Sequence, residues 1–151
     1  MLETNHPLTQ QEFNTIYSKV PRLTVEIIVK DGSGKIYLTK RAIEPCKGQW
    51  HLPGGTVRFG ELMTDAVRRI AKRELKIDVT EIIDKGYIEY PSHFQNDLDS
   101  PVGIVFEVQK FSGEPSINEE AEGSGWFSVL PADMHADQDD FLVGNGYLVR
   151  E

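Results

Sequence analysis

A glycine pair, Gly54-Gly55, is followed after five residues by Glu61, after seven more by Arg69 and after four more by Glu74. Two adjacent glycines let the backbone turn sharply and present a carbonyl. The helix expected after them starts near Glu61, whose charge suits a helix N-terminus. Residues 70, 73 and 74 of that helix project toward one side, so a carboxylate at Glu74 can meet the Gly54 carbonyl of the preceding loop. Hard cations such as Mg2+, or Mn2+ in its place, take oxygen ligands of this kind and complete their shell with water and substrate phosphates. The two neighbouring helix positions that could add carboxylates carry Ile70 and Arg73 instead. A second acidic stretch, with Glu119, Glu120 and Glu122, precedes Trp126. A carboxylate held near a metal can take a proton from water. The plainer reading of such a stretch is a solvated turn.

These residues need elements to position them. The pattern predicts a helix over 9–20, capped by Thr9 with Glu12 three residues on and ended by Pro21. Residues 22–31 alternate, with Leu23, Val25, Ile27 and Val29 on one side of a strand. The run Asp31-Gly32-Ser33-Gly34 is a turn, and 35–41 is the return strand of a hairpin. Arg41 then lies on the side of Tyr37 and Thr39, opposite Ile36 and Leu38. A loop leads to the glycine pair, and a helix over 61–75 aligns Leu62, Ala66, Ile70 and Ala71 on one stripe. Strands are expected over 78–90 and 101–111, with a polar loop containing His93 between them, and a short strand at Trp126. The tail reads as mostly helical, weakened by Gly144 and Gly146. Interleaved strands and helices imply an α/β fold, a mixed β-sheet sandwiched between helices, in one domain over 1–151.

The whole chain bounds its partners. At 151 residues and a net charge of −8, it suits one compact acidic domain, which disfavours duplex nucleic acid. Its single cysteine, Cys46, can form no internal disulfide, which fits a reducing compartment. The first ten residues lack a signal-peptide pattern, and no apolar run reaches membrane-spanning length. The expectation is a cytoplasmic protein acting on a small molecule.

The run from Gly55 to Ile77 resembles the Nudix box: Gly, five residues, Glu, seven residues, then Arg-Glu-aliphatic-any-Glu-Glu-any-Gly-aliphatic. Gly55, Glu61, Arg69 and Glu74 match it, while Ile70, Arg73 and Lys76 depart from it. From Pro21 to Ile77 the chain is similar to the GDP-mannose mannosyl hydrolase branch, sharing Lys40-Arg41, Pro45, Gly48, Trp50 and Pro53-Gly54-Gly55. That branch lacks the same two helix glutamates and is still enzymatic.

The resemblance implies the Nudix fold and Mg2+-dependent hydrolysis of a nucleoside diphosphate linked to another moiety, nucleotide sugars included. It assigns the metal to the Gly54 carbonyl, Glu74 and Glu120. In the branch, the loop before the Trp carries Gln and then a His base. Here those positions are Glu120 and Ala121, so Glu120 or Glu122 is the expected base. Arg41 corresponds to a diphosphate contact and Glu26 to an acidic residue near the substrate. The branch's Arg after the glycine pair is Thr56 here, for which Arg58 compensates. Arg69 is an orienting or ion-pairing residue, and His93 lies where it could touch a base or sugar. Three alternatives stay open: attack at phosphorus, attack at the sugar carbon, and an inactive nucleotide-binding module. A homodimer through the N-terminal helix and first strand is also implied. The residues also allow plainer roles, with His51 a packing histidine, Trp50 and Tyr90 core aromatics, and Cys46 incidental.

Overall fold

The computed structural model describes residues 7–151. The polar opening at 1–6 lies outside the described residues. In chain order the elements are α1 (Gln10–Tyr17), β1 (Arg22–Ile28), β2 (Ile36–Arg41), β3 (Trp50–His51), β4 (Gly54–Thr56), α2 (Met63–Leu75), β5 (Asp78–Glu89), α3 (Pro91–Phe94), β6 (Pro101–Ser112), β7 (Ala121–Phe127) and α4 (Ala136–Gly144). Among the described residues no helix is long and apolar enough to cross a membrane.

One sheet has the order β4-β1-β6-β5 and the other β3-β2-β7. β1 pairs with β6 in parallel and with β4 antiparallel, so the larger sheet is mixed as expected. β1 and β2 do not form the expected hairpin ladder. They touch through a bridge at Lys30 and Ile36 and then enter different sheets. Burial explains the divergence. Val25, Ile27, Ile28 and Val29 are all inaccessible, as are Ile36 and Leu38, so each strand is covered on both faces.

Those faces belong to two cores. Val25, Ile27, Val29 and Tyr37 pack with Ala66, Val67, Ile70, Ala71 and Leu75 of α2. Ile28, Ile36 and Leu38 pack on the opposite side with Leu52, Tyr90 and Leu142 of α4. The sheets therefore lie between α2 and α4, and the side assigned to Tyr37, opposite Ile36 and Leu38, holds. Leu23 departs from the pattern: it is exposed at the start of β1.

The helices are shorter than their sequence patterns. The Thr9–Glu12 capping box forms, but α1 stops at Tyr17 and none of its residues is buried. α2 begins at Met63, because the Glu61 carboxylate is taken by Arg69 and by the Arg58 backbone N–H. Leu62 is 69% exposed rather than on the apolar stripe. Only Ala136–Gly144 of the tail is helical, and Asn145 closes it. His93, expected in a loop, lies in the short α3.

At the other end of α2, Lys76 occupies the left-handed region with φ 59° and donates its N–H to the Ala71 carbonyl. This is the position where the Nudix pattern has glycine. A Cβ in that conformation costs about 1 kcal/mol. Lys76→Gly is therefore expected to raise stability by about that amount, read as a shift of the urea unfolding midpoint at unchanged m-value. A destabilised variant would contradict the capping account.

Candidate functional site

Alternation along β1 turns Arg22, Thr24 and Glu26 to one face. The Glu26 carboxylate is buried and accepts from Thr24 Oγ1 at 3.0 Å and Tyr90 Oη at 2.9 Å. Tyr90 Oη accepts in turn from Gln138 Nε2 at 2.9 Å, and Gln138 Oε1 accepts from the Leu52 N–H at 2.8 Å. Two glycines on the flanking strands make room for the carboxylate. A Cβ at Gly103 would lie 2.7 Å from Glu26 Oε1. One at Gly54 would run into Glu26 Oε2 and lie 2.5 Å from the Val25 carbonyl oxygen. Gly54→Ala is thus expected to destabilise the chain by about 1–3 kcal/mol, since part of the wall is backbone and cannot yield. Thermal unfolding checks this, and an unchanged midpoint would contradict it.

Gly54 also faces the second carboxylate. Ile27 donates to the Pro53 carbonyl and Val57 to that of Leu23, with Gly54 opposite Glu26. The alternation of an antiparallel ladder then turns the Gly54 N–H and C=O away from β1, and β4 is the edge strand. The Gly54 N–H meets the Glu74 carboxylate, which also lies 3.3 Å from Arg73 Nη2. Glu74 therefore projects from α2 toward the glycine, as its spacing predicted. Ile70 is fully buried and lies directly under Gly55, where an added Cβ would sit 2.9 Å from its Cδ1.

The carboxylates feel one another. Burial raises the Glu26 carboxyl from 4.5 to about 7, and the charge on Glu74 adds to the rise. Burial likewise raises Glu74, the Glu120 charge adds to that, and Arg73 opposes it. Glu74, which meets the Gly54 N–H, is thus within electrostatic reach of both Glu26 and Glu120. The exposed Glu120 is held by its loop, where its N–H binds Asn118 Oδ1 and its carbonyl accepts from Ala42. Glu122 instead pairs with Lys40 at 3.8 Å, over Trp50.

Arg69 holds this geometry. Its Nε and Nη2 donate to Glu61 at 2.8 and 3.0 Å, and Nη2 also reaches the Thr56 carbonyl at 2.9 Å. That bond pulls the Glu61 carboxyl down from its ordinary range. The pair ties β4 to α2 without touching the carboxylate corner. Arg58 shares the neighbourhood of Arg69, Glu61 and Arg73. Arg41, at the end of β2, donates to the Pro45 carbonyl at 2.6 Å. His51 is half-buried with Nδ1 on the Leu52 carbonyl, a packing arrangement, and desolvation lowers its pKa.

Sequence reasoning missed Arg22. Its guanidinium donates to the Thr56 hydroxyl at 2.9 Å and grips Asp99 at 2.7 Å. Asp99 Oδ1 accepts from His93 Nδ1 at 2.7 Å, and His93 Nε2 lies 3.0 Å from His135 Nε2. Both imidazoles pack edge-on against Tyr90, so one polar chain runs from Arg22 back to Glu26. The signal for Arg22 was its two-residue spacing from Thr24 and Glu26. Tyr90 is buried as a core aromatic, but its hydroxyl also serves Glu26.

The comparisons agree with this architecture. A relative from Haloferax volcanii, the low-salt glycan biosynthesis protein Agl8, is 38% identical over 92 residues, 61% of this chain and 56% of its own. The ADP-ribose pyrophosphatase of Methanocaldococcus jannaschii is 34% identical over 113 residues, 72% of this chain and 63% of its own. This chain thus spans less than two thirds of either. The crystal structure of a MutT NUDIX hydrolase from Burkholderia pseudomallei superposes with a TM-score of 0.72 at 30% identity, covering 80% of this chain and 95% of that one. The NUDIX domain family model matches residues 20–145, which spans both sheets, α2 and the carboxylate corner. With the glycine pair, Glu61, Arg69 and Glu74 in the expected places, this chain belongs to the NUDIX domain family.

Proposed function

We propose that the chain is a divalent-cation-dependent cytoplasmic hydrolase cleaving a nucleoside diphosphate linked to another moiety. The observation that carries this reading is the Glu74 carboxylate, set against Gly54 by the box spacing and within electrostatic reach of Glu26 and Glu120. Burial disfavours ionisation of Glu26 and Glu74, neighbouring carboxylate charge adds to that, and a cation offsets both. The donor set, all oxygen, fits Mg2+ or Mn2+. Glu74, Glu120 and the Gly54 carbonyl would hold it, and when bound it would neutralise phosphate charge and polarise a phosphoryl oxygen.

The chain's own groups supply the rest of the reading. Glu122 takes the proton of the attacking water where Glu120 ligates the cation, and Glu120 takes it where it does not, since coordination lowers a carboxylate's basicity. Arg41 and Arg58 steady the substrate's phosphates, and His93 would meet the base or sugar only through its ring carbons, because Nδ1 is on Asp99 and Nε2 faces His135 and Cys46. Glu26 borders the substrate from the floor of β1. Arg69, through Glu61 and Thr56, keeps β4 in position. A homodimer belongs to the same reading. The support for it is that α1 buries none of its residues and Ile16, Val20 and Leu23 are exposed.

The names of two relatives, an ADP-ribose pyrophosphatase and a glycan biosynthesis protein, choose the substrates to try. The test is product formation with Mg2+ across ADP-ribose, nucleotide sugars and dinucleotides. Turnover that requires the cation supports the reading. The Arg73–Glu74 contact favours a second one, binding without turnover, because the guanidinium competes for the carboxylate. Tight binding with no product would select that alternative. Once a substrate is known, cleavage in 18O-water separates attack at phosphorus from attack at the sugar carbon.

A further inference from the structure

A second group of ligating atoms gathers around Tyr90, whose ring meets both imidazoles and whose hydroxyl binds Glu26. Cys46, His93 and His135 each offer one ligating atom within 4.8 Å of the others, and His93 Nε2 lies 3.9 Å from Cys46 Sγ and 3.0 Å from His135 Nε2. They come from three segments: the loop between β2 and β3, the short α3, and the N-cap of α4. The loop is tightly closed, with the Arg41 N–H on the Gln49 carbonyl and the Gly48 N–H on that of Arg41. It holds Cys46 at φ 65°, a conformation that disfavours any side chain, and brings Sγ to 3.9 Å from His93 Nε2. Both imidazoles are buried, so this is an enclosed cluster rather than a surface coincidence.

Hydrogen bonds assign the protons. The Asp99 carboxylate accepts from His93 Nδ1, leaving His93 Nε2 unprotonated and aimed into the cluster. The Asp137 N–H donates to His135 Nδ1, which puts the His135 proton on Nε2, pointing at His93 Nε2. A carboxylate on the far nitrogen is the second shell that orients an imidazole ligand and strengthens its basicity.

We propose that Cys46, His93 and His135 bind one thiophilic divalent cation of the Zn2+ class. A thiolate and two imidazoles select such ions, whereas the all-oxygen corner at Glu74 selects Mg2+, so the two sites sort cations by ligand softness. Binding releases the Cys46 thiol proton to solvent and forms a sulfur–metal bond. His135 gives up its Nε2 proton and takes one at Nδ1, toward the Asp137 carboxylate 4.0 Å away. The α4 backbone cap at His135 is lost in that exchange, and the metal–ligand bonds outweigh it. Three protein ligands leave a fourth position for water or another donor. The ion ties the Cys46 loop to α3 and α4.

The proposal does not depend on the hydrolase reading, and its test does not read turnover. Reduced protein saturated with Mg2+ is titrated with Co2+, then with Zn2+. The expected result is one Co2+ per chain with a thiolate-to-cobalt charge-transfer band, abolished in Cys46→Ser. Because Cys46 is the sole cysteine, alkylation reports on it alone. Zn2+ is expected to slow that alkylation by about tenfold or more, and further Mg2+ to leave it unchanged. Absence of the charge-transfer band in the folded wild type would overturn the proposal, and so would alkylation indifferent to Zn2+. The alkylation result stands even if Cys46→Ser fails to fold.

Discussion

Replacing Glu74 with Gln is expected to lower turnover by about 10^3-fold at saturating Mg2+, with the fold intact. The amide keeps the shape and an acceptor for the Gly54 N–H, so the junction between α2 and β4 survives. The change removes the negative charge. In the proposed function that charge is the helix's only carboxylate toward the cation, because Ile70 and Arg73 occupy the other two positions of the box. Ile70 has no access to the corner at all, being sealed in the core beneath Gly55. Steady-state kinetics on the substrate found by the panel, with a thermal melt of the variant, make the measurement. A variant that turns over normally would remove Glu74 from the site.

The second large effect is on stability, through Glu26. Its carboxyl titrates near 7 in the folded chain against 4.5 ordinarily, because burial disfavours the charge. Below 4.5 both folded and unfolded states carry the proton and the contribution is fully present. As pH rises, the unfolded chain releases its proton first, and the folded state is forced to ionise a buried acid by about pH 7. Folding stability therefore falls across that window, by about 3 kcal/mol for the metal-free chain. Glu74 is raised for the same first reason and adds a loss of the same sign. Urea unfolding between pH 4.5 and 8 should show a steeper decline in wild type than in Glu26→Gln. Mg2+ should flatten the wild-type profile, since a cation favours the ionised carboxylates. Parallel profiles for the two proteins would contradict the burial account.

The parts of this site that follow local rules were legible in the sequence. The glycine pair, the helix after it and the aim of Glu74 come from spacing alone. Alternation along β1 correctly separated Val25, Ile27 and Val29 from the Glu26 side. What was not legible depends on contacts distant in sequence. The hairpin of β1 and β2 closes at its turn but its ladder stops there, because pairing is decided by which neighbours cover a strand, and both are covered on two faces. Glu61 looked like a helix residue until Arg69, eight positions on, claimed its carboxylate. Tyr90 reaches Glu26 from 64 residues away and Gln138 in turn holds the Tyr90 hydroxyl, and no local pattern announces such partners. His135 carried no argument and Cys46 read as incidental for the same reason: each is unremarkable in its own segment, and only the fold brings them to His93.

The central claim is that the corner beside Gly54 holds one hard cation through Glu74. Mn2+ titration followed by electron paramagnetic resonance, on reduced protein with Zn2+ present to occupy softer ligands, tests it most directly. The account predicts one Mn2+ bound per wild-type chain, displaced by Mg2+ and lost in Glu74→Gln. Equal Mn2+ binding by wild type and variant, or none by the wild type, would contradict it.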